Sequence, residues 1–496
     1  MAAQLLVGDV FRAAARATPQ RLAAALGDEA ITFGQLDAAA DRIRRALRAR
    51  GVGHHDRVAG WSGTTLGIVP VFAALARSGV AFAPMSPLWN EEEAEAVLRR
   101  LRPALLVVDE PRAAAASSLG RRLGWPVASL GELGTDDDAA GSHGGADAGA
   151  EETEVSETDT HVVFFTSGSS GTPKGAMVSH RASVLRTLPG ALLEPRGAMV
   201  CSYPLFHMGA WTIALQQWQA RDAVVFVTVA DAAEIIGAVE RHRATRLNCV
   251  PAVWTRILRA LAEQDAPSHA LSTLRFADTG TSATPPAFLD ALRSALPRAQ
   301  VRVFYGSTEA GCVTVLEHAD LDRKQGSCGV PGPLAEVRVD GGGRLLVRGP
   351  LLFDGYFDDP RSTAEALADG WYDTGDLADV DDEGYVSIIG RAREVIRTGG
   401  EAVTPGEIEA VLRDHPALVE VAVVGLPDVE WGEVVCAVVV VAPGAEPPDV
   451  EALRVLCAGR RLASYKHPRR VAVVDRIPRT AATGQVQRRL LVEQLS

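Results

Sequence analysis

Cysteine is scarce and unpatterned in this chain of 496 residues: six, at positions 201, 249, 312, 328, 436 and 457, with no Cys-x-x-Cys pair and no Cys/His ligand spacing. That excludes a disulfide framework and a zinc module and points to a reducing, cytoplasmic setting. Positive charge is also in deficit. The formal net charge of −12 argues against general affinity for nucleic acid. No apolar run reaches the about 18 residues that a membrane span needs, and the N-terminal stretch from Met1 to Val10 has no basic region ahead of an apolar one. Membrane insertion and a cleaved leader are therefore not expected. Apolar side chains are nearly missing from residues 131–159, a Gly/Ala/Asp/Glu segment that cannot offset its ordering entropy and is expected to be a mobile surface loop.

What is present is length enough for roughly three domains and a steady alternation of elements. Apolar residues recur at helical spacing over 7–17 and over 33–49 (Phe33, Leu36, Ala40, Ile43, Leu47), with Gly51 as a stop. Short apolar strands at 57–61, 80–83 and 105–109 alternate with helices at 64–78 and 90–101, the pattern of a parallel or mixed sheet covered by helices. The adjacent pair His54 and His55 reads as a solvated turn, since neighbours in sequence do not share a ligand geometry. Ser179 is placed to cap a helix beginning near His180.

The chain is organised around residues 166–175, which follow the apolar strand His161 to Phe165. Gly168, Gly171 and Gly175 permit close approach of backbone to a ligand. The hydroxyls of Thr166, Ser167, Ser169, Ser170 and Thr172 are short donors, and Lys174 is a mobile cation. Such a loop suits a polyphosphate, although it lacks the Gly-Lys-Ser/Thr order of a Walker loop.

These residues resemble the phosphate loop of the adenylate-forming superfamily, which includes acyl- and aryl-CoA synthetases, peptide-synthetase adenylation domains and luciferases. Further motifs follow in the family's order. Cys201 to Gly209 is similar to its Pro-Leu-Phe-His element, which puts His207 near the acid's carboxylate; Trp211, Thr212 and Gln216 either line the same channel or form a plain buried helix face. Asp278 to Pro286 corresponds to its Gly-Gly-Ala-Pro-Leu loop, with Gly280 retained but Thr281 and Ser282 where Gly and Ala are common, which suggests a polar substrate. Phe304 to Gly311 resembles the next signature: Tyr305 stacks on adenine, Gly306 and Ser307 belong to the nucleotide loop, Thr308 binds phosphate and Glu309 offers Mg²⁺ a hard carboxylate. Asp376 matches the family's ribose ligand and Arg391 its ribose-contacting arginine.

The resemblance implies an α/β fold: a large multi-subdomain N-terminal adenylate-forming domain, 1–390, and a small mobile α+β lid domain, 391–496. Arg393 stands at the usual Asp or Lys pivot of the hinge. Thr398 to Glu401 is similar to the loop lining the thioester channel, and Thr404 to Glu407 has capping-box spacing with Pro405 at the first helical position. In the lid, helices from 405 to 414 and from 450 and strands at 419–424, 434–441 and 470–474 are expected. Its end departs from the family. Residues 478–485 are one residue longer than the pattern, and Gln485 stands where a lysine bridges carboxylate and α-phosphate.

The activity implied is ATP- and Mg²⁺-dependent adenylation of a small fatty or aryl acid, with pyrophosphate released and the acyl group passed to CoA or another acceptor. Lys174, His207, Thr308, Glu309 and Gln485 are the expected catalytic set. Two alternatives remain: activation of a non-carboxylate acid such as nitrite, as in diazotases of aryl amines, and a nucleotide-binding relic with regulatory use. The partners are a small acid and its acceptor, and homo-oligomerisation is left open.

Overall fold

A computed structural model describes residues 4–134, 154–166, 173–263, 269–480 and 484–495. Two sheets form the frame of the larger part. One has nine strands, in the order Val330–Pro331, Gly311–Leu316, Gln300–Ser307, Phe276–Gly280, Arg246–Asn248, Met199–Cys201, Val224–Phe226, Leu22–Leu26 and Glu29–Thr32. Its six central strands run parallel, and antiparallel strands close both edges. The other has seven strands, with Thr160–Thr166, Ala81–Met85, Arg57–Trp61, Leu105–Val108 and Val127–Ser129 parallel. Lys174–Ser179 and Gly355–Tyr356 are antiparallel at its other edge.

The helical spacings read from sequence are the buried faces. Phe33–Ala49 buries Phe33, Leu36, Ala40, Ile43 and Leu47, opens on a Thr32/Gln35 capping box and is followed by Gly51 at φ +73°. Its neighbour Ile68–Ser78 is buried along almost its whole length, with Phe72 stacked on Trp211 at 4.1 Å between centroids. The helix His180–Ala191 begins at Ser179, whose side chain accepts from Ala182 N. These helices pack on the parallel strands through one shared apolar core.

A five-stranded sheet, built on Glu336–Val339, Arg344–Arg348 and Trp371–Val380, continues through Val386–Arg391. A separate sheet follows in which Leu418–Asp428 pairs with Gly432–Val441, flanked by Pro405–Leu412 and Val450–Gly459. The large α/β part and smaller α+β part agree with the fold expected from sequence.

Three local expectations are corrected. Thr404 makes no side-chain cap: Glu407 N donates to the Thr404 carbonyl at 3.2 Å, and the Glu407 carboxylate, the other half of a capping box, pairs with Lys466. Residues 131–159 are not all structureless. Leu130–Gly134 is a helix with Leu133 buried, and Asp159 is fixed by His54 Nε2 at 2.7 Å and Ser156 N at 2.8 Å; residues 135–153 lie outside the described residues. His54 and His55 do form a turn with His55 exposed, but His54 is half-buried and hydrogen-bonded to Asp159, so the pair is not wholly solvated.

Candidate active site

The candidate site residues lie near the ends of Thr160–Thr166, Phe276–Gly280 and Gln300–Ser307. Thr160–Thr166 leads into the loop that the sequence assigns to phosphate. Ser167, Gly168, Ser169, Ser170, Gly171 and Thr172 lie outside the described residues. The chain returns as Lys174–Ser179, with Thr166 opposite Lys174. Gly175 is needed there, since a Cβ would lie 2.8 Å from Val163 Cγ1.

Glu309 is buried at the turn after Gln300–Ser307. Its Oε1 accepts from Tyr356 Oη at 3.0 Å and Thr166 Oγ1 at 3.4 Å. Burial and the Glu309 charge raise the Tyr356 phenol, so it stays a donor. Lys174 Nζ lies 5.1 Å from the centre of the same ring. The chain has only three lysines; Lys324 is paired with Asp381 and Glu383 at 2.6 Å each, and Lys466 with Glu407. Lys174 is thus the lysine placed at the site, a cation beside a buried carboxylate.

The turn is held by a residue that sequence reading missed. Arg186 is buried on the helix His180–Ala191 and donates to Thr308 O at 3.1 Å, Glu309 O at 3.0 Å and Leu351 O at 2.8 Å. Burial pushes its guanidinium down to about 10, against the pull of Asp354 and Glu309, so it remains charged at neutral pH. The available signal was an arginine four residues after Ala182 on the helix's buried face. Ser307 Oγ accepts from Ala310 N at 3.1 Å, and a Cβ on Gly306 would lie 2.0 Å from Gly311 O, which fixes the turn in one tight form.

A second cluster forms where Trp371–Val380 pairs with Val386–Arg391, putting Asp376 opposite Arg391. Tyr305 Oη donates to Asp376 Oδ2 at 2.5 Å, and Arg391 Nε is 2.9 Å from Oδ1. Desolvation raises the Asp376 carboxyl despite Arg391 and Tyr305, while burial and Asp376 raise the Tyr305 phenol. Both carboxylate oxygens therefore face fixed donors, and Tyr305, Asp376 and Arg391 come together from sequence positions far apart.

On the third side, His207 caps the helix Met208–Gln219, its Nδ1 accepting from Gly209 N at 3.1 Å. Burial pushes it down to about 4, leaving a neutral ring with its proton on Nε2, stacked at 5.9 Å on Tyr203. Trp211 and Thr212 border a cavity of about 20 Å³ with His161, Ser183 and Arg186, little more than the space of one water. Gln216 lies instead against Gly190, where a Cβ would fall 1.8 Å from its Oε1.

Thr281 follows Gly280 at the end of Phe276–Gly280, and Ser282 beside it is exposed. Gln485 reaches this loop from the C-terminal segment, Nε2 donating to Thr281 O at 3.1 Å. The nearby arginines are engaged elsewhere: Arg479 with Glu420 at 2.8 Å, Arg488 with Glu394 at 2.7 Å and Glu409 at 2.6 Å, and Arg489 with Glu493 at 3.4 Å. A neutral amide is what this segment brings to the loop.

For a hard cation the site offers Glu309. Away from it, His54, His55 and Asp159 have ligand atoms within 4.8 Å of one another, with the two imidazoles stacked at 3.8 Å. Among the described residues no helix is long and apolar enough to cross a membrane.

Residues 11–357 match the AMP-binding enzyme family and residues 407–483 its C-terminal domain. The chain is 32% identical to a feruloyl-CoA synthase from Amycolatopsis sp over 96% of its length and 97% of that protein. It is also 32% identical to an indoleacetate–CoA ligase from Aromatoleum aromaticum, covering 95% and 94% of the two chains. Among solved structures, the amide bond synthetase McbA from Marinactinospora thermotolerans superposes with a TM-score of 0.86 at 27% identity, covering 99% of both chains. ATP-bound MatB from Rhodopseudomonas palustris gives 0.85 at 28% identity, with 98% of both chains covered. These relatives do not favour the nitrite-activating alternative. Family models over both parts of the chain and full-length relatives of this kind show that the chain belongs to the AMP-binding enzyme family, the adenylate-forming enzymes that its loops resemble.

Proposed function

We propose that this ATP-dependent, AMP-forming ligase joins a small fatty or aryl acid to AMP and then passes the acyl group to the thiol of CoA or to another nucleophile. In the first step a carboxylate oxygen attacks the α-phosphorus of ATP and the bond to pyrophosphate breaks. In the second, the acceptor attacks the acyl carbon and AMP leaves. The observation that carries the reading is the meeting of Tyr305, Asp376 and Arg391 beside the Glu309 turn. We read the first three as the groups that would take the nucleoside, and the Glu309 turn as the place that would take phosphate and metal.

A weak nucleophile and a charged leaving group need positioning and neutralisation more than acid-base chemistry. Lys174 and Thr308 would hold phosphate oxygens, with the loop from Thr166 to Thr172 around them. Glu309 would hold Mg²⁺, which supplies charge neutralisation when bound; its buried carboxylate and the adjoining Thr166 hydroxyl form a hard-oxygen donor set that fits. Asp376 and Arg391 would take the ribose, and Tyr305 with Gly306 and Ser307 the base. His207, Gly280, Thr281 and Ser282 would face the acid, and Gln485 would close over it from a lid of residues 391–496 on a body of residues 1–390. The McbA superposition favours testing amines as acceptors beside CoA. The test is release of AMP and pyrophosphate across fatty and aryl acids, with and without CoA or an amine. Acid-dependent pyrophosphate release is expected. No release with any acid overturns the reading.

A further inference from the structure

Thr281 is where the reaction loop departs most from what its backbone would favour. Its φ is +66°, the left-handed region that β-branched residues rarely adopt and glycine adopts freely. The preceding Gly280 has no room for a side chain, since a Cβ would lie 2.1 Å from Phe304 O. The loop therefore has glycine where packing demands it and threonine where the backbone would sooner take glycine. The side chain explains neither a turn nor a cap. Its Oγ1 is closed off from solvent and has no hydrogen-bond partner among the described residues, while its carbonyl oxygen is occupied by Gln485 Nε2 at 3.1 Å. A buried hydroxyl without a partner is costly, and strain at such a position is a mark of function.

Gln485 occupies the position that the adenylation reading assigns to the residue over the acid's carboxylate, and on that reading its contact with the Thr281 carbonyl would put Thr281 near the carboxyl end of a bound acid. We propose that Thr281 determines specificity: its hydroxyl hydrogen-bonds a hydroxyl or amino group carried within two carbons of the carboxyl. The acid is then an α-hydroxy or α-amino acid, or an aryl acid substituted ortho to its carboxyl. This rests on the adenylation reading and deepens it. A site built to bond a substrate hydroxyl discriminates strongly against the analogue lacking it, because its own polar group is left unpaired.

The test measures pyrophosphate release from ATP with paired acids, salicylate against benzoate and mandelate against phenylacetate, in the parent, Thr281→Val and Thr281→Ser. Valine keeps the branched shape and removes the hydroxyl; serine keeps the hydroxyl. The parent is expected to prefer the substituted member of at least one pair by about tenfold or more in kcat/KM. Thr281→Val should lower kcat/KM for that acid by about 10- to 100-fold more than it lowers kcat/KM for the unsubstituted partner. Thr281→Ser should retain most of the preference. Absence of preference in the parent, an equal loss for both members in Thr281→Val, or the same loss in Thr281→Ser would overturn the proposal while leaving adenylation intact. No pyrophosphate release with these or any other acid would overturn the adenylation reading and this proposal with it.

Discussion

Glu309 shows how one buried carboxylate orders a site. Tyr356 and Thr166 donate to it, Arg186 holds its backbone carbonyl, and Lys174 lies across the Tyr356 ring. Removing either charge should cost transition-state stabilisation without removing much packing. Lys174→Ala and Glu309→Gln are each expected to lower turnover by about 10² or more, read as initial rates of pyrophosphate release at saturating ATP, with the thermal midpoint little changed. Near-normal turnover in both would dismiss the phosphate and metal roles. Gln485 poses the opposite case, a charge left out. Charge-assisted hydrogen bonds contribute roughly 1.5 to 3 kcal/mol against about 1 for neutral ones, and Arg479, Arg488 and Arg489 are tied up in pairs of their own. Gln485→Lys should therefore raise acid-dependent AMP formation by about an order of magnitude, and an unchanged rate would show that this position contributes no charge to the reaction. The residues themselves were legible because short motifs carry them. Arg186 was not. Its role depends on reaching carbonyls 122, 123 and 165 positions away, which no local string encodes.

At the scale of elements, the helix His180–Ala191 carries Arg186 toward the reaction turns, and its first turn is fixed by Ser179 Oγ accepting from Ala182 N at 3.3 Å. Ser179→Ala should cost about 1 kcal/mol, visible as a lower urea midpoint with unchanged slope. A change of slope would mean that the substitution alters the compactness of a state and does more than uncap a helix. The caps also show where sequence reading holds and where it stops. Ser179 works as read because donor and acceptor lie three residues apart. Thr404 and Glu407 have the same local spacing, yet Thr404 makes no side-chain cap and the Glu407 carboxylate pairs with Lys466, 59 residues on, a contact that local spacing does not encode. The helix anticipated from 64 begins only at Ile68. Between the strand and the helix the chain bends at Thr64 and turns at Leu66 and Gly67, with Gly63 N donating to Asp109 Oδ2 at 2.7 Å.

Over the whole molecule, the larger part is closed by a histidine on which distant segments converge. His180 is fully buried; its Nδ1 accepts from Val7 N at 3.3 Å, joining the first helix to the helix His180–Ala191. Its ring is 4.9 Å from that of His161. Burial pushes it down to about 4, with Asp159 pulling it up and His54 pressing it further down. The folded chain thus resists a proton that the unfolded chain accepts below about pH 6.5, so this contribution to stability is complete above that pH and is lost as pH falls toward 4. For a shift of this size the loss is up to about 3 kcal/mol. His207, pushed to about 4 by burial alone, adds to the same slope. Asp354 and Asp376 are raised by burial and act in the opposite sense. Only a variant compared with its parent at each pH isolates one group. His180→Asn keeps an acceptor for Val7 N and cannot titrate. The gap in urea-unfolding free energy between parent and variant should therefore close by about 2 to 3 kcal/mol between pH 7 and 4.5, and a gap constant with pH would mean that His180 takes up its proton as readily folded as unfolded.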